Sequence, residues 1–414
     1  MTQTMQPGDG GATPPALPGS NPPPLPGATP PGEPVTVTWS GNPWSLAGLG
    51  LVNFLLTVVT LGIYHFWAKT EVRRRVTSSI RLNGEPLEYL GTGRELFLGF
   101  VIVFLFILLP ALLVIVGAQL WLGENNPSTV AIILPIYALF GYLYGVAVYR
   151  ARRYRRSRIS WRGIRGAMVG SSLSFGWGFL WTYLLVPFTW GWLTPWRDNY
   201  LHRTLTRDTR FGDRPFTYTG KAGPLYPSFA IAFMGQIGGL LVLAGAAFAV
   251  LWPMSAPIRE VVQSMTADGG KIDWSSPELA PYSGLIAGMV GIGIAFLVAY
   301  ILLVGILWSM YAAFAIRYFS AQTGLGAARF RLDVSGFQLF WLFLANSLMS
   351  MLTLTILGPV AEARVARYFI RRLSIDGPVD FAGIAQSAQR LSRTGEGLAE
   401  AFDVDFSSYF ILSI

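Results

Sequence analysis

The sequence contains no cysteine. Disulfides, thiol nucleophiles and cysteine-ligated zinc are thereby excluded. Histidine is almost missing too: His65 and His202 are the only two, and neither has a partner at metal-ligand spacing. Both read as interfacial or hydrogen-bonded histidines, so no metal or cofactor is expected. Charge is scarce, at 13% of 414 residues, against roughly a quarter in soluble domains. No HExxH, GxSxG or Walker pattern occurs, and no carboxylate pair stands in an apolar setting, so no catalytic residue is nominated. GTGRELFLG (91–99) holds a Gly-x-Gly, yet it follows a turn instead of opening a strand–helix nucleotide unit.

What stands in place of charge is apolar length. Hydrophobic residues make up 52% of the chain, and mean hydropathy is +0.46. Residues 96–122, 130–149, 228–252 and 284–316 contain no Lys, Arg, Asp or Glu, and each reaches the ~20 residues a bilayer crossing needs. Lipid offers backbone groups no partners, so each reads as a transmembrane helix. Residues 1–34, with PPALPGSNPPPLPGATPPGEP, cannot bury enough apolar area to offset ordering entropy. They are expected to form a disordered cytoplasmic tail; lacking a basic start and an apolar core, they are not a signal peptide.

Three further apolar segments, 44–66, 167–196 and 334–360, are interrupted by Gly, Asn, Thr or Pro, and they belong to a repeat. An offset of 129 aligns TLGIYHFW (60–67) with TWGWLTPW (189–196), and carries Arg74 to Arg203, Arg81 to Arg210, Tyr89 to Tyr218 and Gly91 to Gly220. An offset of 293 aligns LVNFLLTVVTL (51–61) with LANSLMSMLTL (344–354), pairing Asn53 with Asn346 and Arg74 with Arg367. Each copy ends in turn chemistry. Asn83-Gly84 suits a type I′ turn, whose two central residues need positive φ. Ile80 and Leu82, then Leu87 and Tyr89, alternate around it as in a β-hairpin. Phe216–Tyr218 and Val379-Asp380-Phe381 repeat the alternation. One strand is expected before each copy, at 35–39, 158–161 and 328–334. The chain thus divides into a tail (1–34), repeat 1 (35–95), a transmembrane hairpin (96–149), repeat 2 (150–226), a second transmembrane hairpin (227–316), repeat 3 (317–388) and a C-terminal tail (389–414).

Of the 31 basic residues, all but Arg259 and Lys271 lie at 69–94, 150–165, 197–221, 317–331 and beyond 361. The loop 253–283 carries four acids. The positive-inside rule puts the basic regions in the cytoplasm. If all seven apolar segments crossed, 67–95 and 197–221 would face opposite sides, although both are basic and they are copies. Re-entry of the three interrupted segments from the cytoplasmic face removes the conflict; seven plain crossings with inverted repeats is the alternative. The fold expected is an α-helical polytopic membrane protein with four transmembrane helices and three interrupted segments, each followed by a short cytoplasmic β-hairpin.

TLGIYHFWAKTEVRRR followed by RLNGEPLEYLGTGRELFLGF resembles the YjgN family of bacterial inner-membrane proteins, a group defined by a domain of unknown function. The resemblance covers roughly 35–385. The second copy departs at Trp190, Trp192 and Asp213, and the third lacks the Trp and the Tyr-x-Gly ending. It implies a multi-pass inner-membrane location and supplies no activity or functional residues.

Arg73, Arg74 and Arg75, with Arg203 and Arg367, sit at the edges of apolar segments. They read as membrane anchors, or more sharply as contacts for anionic lipid headgroups. Topology already accounts for the arginine-rich run 149–165, so nucleic acid is not an expected partner; homo-oligomerisation is left open. Asn53, Asn346 and the corresponding Thr182 are polar positions inside apolar segments, suited to interhelical hydrogen bonds or to a polar path. Tyr89-x-Gly91 and Tyr218-x-Gly220 read as strand ends that turn tightly. The four long spans hold no ionisable Asp, Glu, Lys or Arg, which argues against ion coupling. The sequence leads to a transporter or channel for an uncharged or amphipathic solute, with an envelope-organising scaffold as alternative and a lipid-acting enzyme third.

Overall fold

The computed structural model describes residues 35–123, 126–266, 279–379, 381 and 383–386. The tail over 1–34, the C-terminal segment 389–414 and the loop acids Asp268, Asp273 and Glu278 lie outside the described residues. The chain opens with strand β1 (Val37–Trp39), helices α1 (Ala47–Val59) and α2 (His65–Ser78), and strands β2 (Ile80–Leu82), β3 (Glu85–Pro86) and β4 (Glu88–Tyr89). Helices α3 (Gly93–Val103) and α4 (Leu109–Leu122) run on through a π-helical stretch at 104–108. Pro110 explains that stretch: it lacks an N–H and its ring crowds the carbonyl four residues back, which a wider turn relieves. Helix α5 (Pro127–Arg158) returns.

Next come β5 (Ile159–Trp161), β6 (Ile164–Met168), α6 (Ser172–Phe188), α7 (Thr194–Asp208), β7 (Thr209–Phe211) and β8 (Arg214–Tyr218). Helices α8 (Tyr226–Met254), α9 (Ala256–Thr266) and α10 (Ser283–Ala321) follow. The chain then forms β9 (Thr323–Leu325), β10 (Ala328–Leu332), α11 (Gly336–Leu352), α12 (Gly358–Ile370) and β11 (Leu373–Asp376). Four helical stretches, Gly93–Leu122, Pro127–Arg158, Gly223–Met254 and Ala280–Ala321, are long and apolar enough to cross a membrane. The molecule is therefore an α-helical membrane protein.

The interrupted segments take one local shape. α1 reverses into α2 through Leu61 and Gly62, at φ 50° and 92°; α6 reverses into α7 through Trp190 and Gly191, at 51° and 89°. α11 reverses into α12 through Leu354 and Thr355, at 47° and 67°. A threonine braces each corner. The Thr60 hydroxyl donates to the Leu56 carbonyl at 2.7 Å and accepts the Tyr64 N–H at 2.9 Å. Thr189 accepts the Leu193 N–H at 3.1 Å, and Thr353 accepts that of Leu357 at 3.3 Å. The hydroxyl satisfies groups that helix termini otherwise leave open.

All strand pairs are antiparallel. One sheet runs β4 to β11 in chain order, the other β1-β2-β3. Only Leu87 separates β3 from β4, and β1 approaches β11, so the strands curl round a half-open space. Asn83 and Gly84 have φ of 49° and 83°, and the Asn83 side-chain oxygen accepts the Thr36 N–H at 2.9 Å. Two differences from the sequence reading stand out. β5 and β10 each gain a hairpin partner, β6 and β9, through turns at Arg162-Gly163 and Gly326, whose composition is a weaker signal than Asn-Gly. Among the described residues, β11 pairs with β10 alone, and no strand follows Gly377; Asp380 of the expected third hairpin lies outside them.

Candidate functional site

The first and third helix pairs pack on each other through Val72, Val76, Val360, Ala363 and Ala366. Gly50 sets their approach: a Cβ there would stand 2.1 Å from the Ile356 carbonyl oxygen. Beside this contact lies a cleft of about 570 Å³. Both pairs line it. The offset of 293 matches Asn53 with Asn346, Phe54 with Ser347, Thr57 with Ser350, Ala68 with Ala361, Lys69 with Glu362 and Val72 with Val365, and all twelve residues line it.

Asn53 and Asn346 are both buried, at 6% exposure. Nδ2 of Asn53 and Oδ1 of Asn346 have no hydrogen-bond partner within the protein. Asn346 Nδ2 donates to the Ala361 carbonyl at 3.4 Å. Buried polar atoms are almost always satisfied, so an open donor and an open acceptor lining one cleft mark a place for a neutral hydrogen-bonding group. Lys69 and Glu362 add opposite charges on α2 and α12, while Phe54, Phe343, Val72 and Val365 supply apolar wall. His65 also lines this cleft. The arrangement can hold a molecule that is polar at one part and apolar at another.

Thr182 does not join this cleft. It is buried, and its hydroxyl donates to the Phe179 carbonyl at 2.9 Å. The second helix pair packs instead on α5, where Phe175 and Phe179 meet Val146 and Tyr149. The arginines separate as well. Arg73 is buried and lines the half-open space among the strands. Arg74 and Arg75 are exposed and both bond Glu71, at 3.0 and 2.9 Å; Arg203 is exposed and Arg367 half-buried.

Tyr-x-Gly proves to be a packing motif. Tyr89 and Tyr218 close strands β4 and β8, and Gly91 and Gly220 do not take positive φ. The tyrosine ring instead folds over the glycine: a Cβ on Gly91 would lie 2.5 Å from the Tyr89 hydroxyl, and one on Gly220 2.1 Å from that of Tyr218. Tyr218 then donates to Asn199 Oδ1 at 2.7 Å. Gly220→Ala should displace Tyr218, break this bond and cost about 3 kcal/mol; thermal unfolding in detergent measures it. His202 stacks on Phe319 at 4.4 Å and lies 3.2 Å from the Thr206 hydroxyl. Burial, reinforced by the charge of Arg152, pushes its pKa down to about 3, so the ring is neutral. Among the described residues no group of three or more His, Asp or Glu is placed to hold a metal.

Thr57, Ser347, Ser350, Lys69 and Glu362 were not singled out from sequence. The signal was there: the 293 offset carried past the turn pairs Lys69 with Glu362 on the same face as Ala68 and Val72.

The family described as "Bacterial protein of unknown function (DUF898)" matches residues 34–401. Inner membrane protein YjgN of Salmonella typhimurium (strain LT2) is 35% identical over 109 residues, which cover 26% of this chain and 27% of that protein. The aligned stretch is thus little more than a quarter of the relative's length. No solved structure matches. A family match running from just before β1 to beyond β11, over a chain with four helices fit to cross a bilayer, makes this protein a member of the DUF898 family, akin to YjgN.

Proposed function

We propose that this protein sits in the bacterial inner membrane with its N-terminus in the cytoplasm, and passes an uncharged or amphipathic solute through the cleft between the first and third helix pairs. One observation carries the reading: two pairs related by an internal repeat turn equivalent faces to one cavity, with an open donor on Asn53 and an open acceptor on Asn346. Repeats with broken membrane segments build such sites at mid-membrane depth in transporters.

In this reading the three helix pairs dip into lipid from the cytoplasmic face and return. At 1.5 Å per residue, the 13 residues of α1 rise about 20 Å, short of a hydrocarbon core of about 30 Å. The corners are apolar yet bare: Leu61 is 94% exposed, Trp190 85% and Leu352 80%. Water does not favour such tips, and lipid does. Each pair also lies between two strands that pair with each other, β1 and β2, β6 and β7, or β10 and β11.

Topology and transport are separately testable. Single cysteines replacing Ser78, Arg207 and Glu260, all exposed, can be labelled on intact cells with a membrane-impermeant maleimide. Only the Glu260→Cys variant should react; labelling of Arg207→Cys but not Ser78→Cys would establish seven crossings. For transport, purified protein in vesicles should accelerate efflux of some uncharged or zwitterionic solutes from a panel. Rates equal to those of empty vesicles for the whole panel would leave the envelope-scaffold reading in its place.

A further inference from the structure

Helix α7 has two unlike faces. Pro195, Asn199, His202, Leu205 and Thr206 are buried. Trp196, Arg203 and Arg207 are exposed on a different face, with Tyr200 half-buried among them. Steps of four, three and four residues set Trp196, Tyr200, Arg203 and Arg207 in one stripe along the helix. The Trp196 and Tyr200 rings stack at 5.4 Å with their planes 6° apart. Gly178 of α6 admits the tyrosine, since a Cβ there would stand 2.6 Å from its hydroxyl. The aromatic half of the stripe is thus held in place, and the basic half follows it toward β7.

Among the described residues, neither Arg203 nor Arg207 has a side-chain hydrogen bond or an ion pair. The two acids of α7 are engaged elsewhere. Asp198 binds Arg197 at 2.8 Å and accepts the Tyr311 hydroxyl at 3.0 Å; Asp208 accepts the Tyr149 hydroxyl at 2.6 Å. The other copies differ. The offset of 129 places Trp67, Glu71, Arg74 and Ser78 at the stripe's positions in α2, where Glu71 bonds Arg74 and Arg75. In α12 the equivalents are Val360, Arg364, Arg367 and Arg371, and Val360 is fully buried. Of the three copies, the second alone joins an exposed indole to two arginines with no acid in the stripe.

Indole and phenol rings favour the membrane interface, where one end is apolar and the other wet. Guanidinium planes match phosphate oxygens two at a time, and basic residues near a bilayer surface attract anionic lipid. We propose that this face of α7 binds the headgroup of an anionic phospholipid. Arg203 and Arg207 take the phosphate, and Trp196 and Tyr200 lie against the glycerol and the upper acyl chain. The ring pair argues for lipid over free phosphate, which has no apolar part to lay on it. The site needs only a membrane surface at this end of α7, so lipid binding tests it while flux tests the cleft.

The experiment titrates the full chain in a non-ionic detergent with phosphatidylglycerol or phosphatidylcholine, and native mass spectrometry counts the bound lipid. The tightest site should take phosphatidylglycerol at least fivefold more strongly than phosphatidylcholine, a preference that shrinks as salt rises. Arg203→Gln with Arg207→Gln should weaken phosphatidylglycerol binding at least fivefold while the unfolding temperature is kept. Arg74→Gln with Arg75→Gln should change it less than twofold, because those arginines already share Glu71. Trp196→Ala should weaken both lipids. Inorganic phosphate in tenfold molar excess should displace neither. Equal binding of the two lipids by the intact chain overturns the proposal, and that comparison needs no variant. So does displacement by phosphate, unchanged binding in the α7 variant, or the same loss from both arginine pairs, which would mark diffuse charge and not a site.

Discussion

Gly50→Ala should lower the unfolding temperature of the purified protein by several degrees and spread the first and third helix pairs apart. The added carbon would lie 2.1 Å from the Ile356 carbonyl oxygen and 3.4 Å from Pro359 Cδ. The first is backbone, held in the corner where Thr355 N–H donates to the Ser350 carbonyl at 2.7 Å, so no rotamer change makes room. Overpacking of this kind costs about 1–3 kcal/mol, with more where backbone must move. The control sits two residues away: nothing lies within 4 Å of a Cβ at Gly48 in the same helix. Gly48→Ala should therefore stabilise by up to about 1 kcal/mol through helix propensity alone. Asn53 stands one turn beyond Gly50, so the wedge also moves the polar lining of the cleft. Equal unfolding temperatures for the two variants would mean that α1 does not meet the corner before α12 as described.

The asymmetry between Gly48 and Gly50 also shows what was legible. Helix, turn and strand followed from residue chemistry: charge-free runs for the long helices, Asn83-Gly84 for a turn whose two central residues take positive φ. The corners were visible as interruptions, and Gly62 and Gly191 mark them; Thr355 does not, because a threonine at φ 67° is held there by the fold rather than favoured by its own backbone. Contacts between copies left less trace. Hydropathy cannot say that Gly50 touches Ile356, or that Asn53 and Asn346 share a cleft while Thr182 packs against its own helix. Arg73 reads like Arg74 and Arg75 in sequence, yet α2 turns it inward and them outward. The Tyr-x-Gly ending does close β4 and β8, but its glycine serves the space beside it, a role that its own φ does not announce. What the offset of 293 did contain was the lining itself: the residues it pairs, from Asn53 with Asn346 to Val72 with Val365, line one cleft.

Asn53→Leu together with Asn346→Leu should abolish solute passage while the protein stays folded, or gains stability. Each wild-type amide holds an atom without a partner inside the protein, and a buried unsatisfied group costs about 1–3 kcal/mol unless water or a ligand meets it. Leucine branches at the same carbon as asparagine and carries no such cost; it is the bulkier residue, but both positions line an open cleft that can take the added volume. The unfolding temperature should therefore hold or rise, because the change removes a polar liability from a packed interface. Flux should fall at least tenfold, since a neutral hydrogen-bonding group entering the cleft would then lose both its donor and its acceptor. Thr182→Val is the matched control: its position is equivalent by repeat but outside the cleft, so flux should persist. The single variants sharpen the case. If Asn53 and Asn346 grip the same solute, removing either already breaks the site, and the double variant should be hardly worse than either alone. Independent, multiplying losses would show instead that the two asparagines act at separate points, and the cleft would no longer be one site.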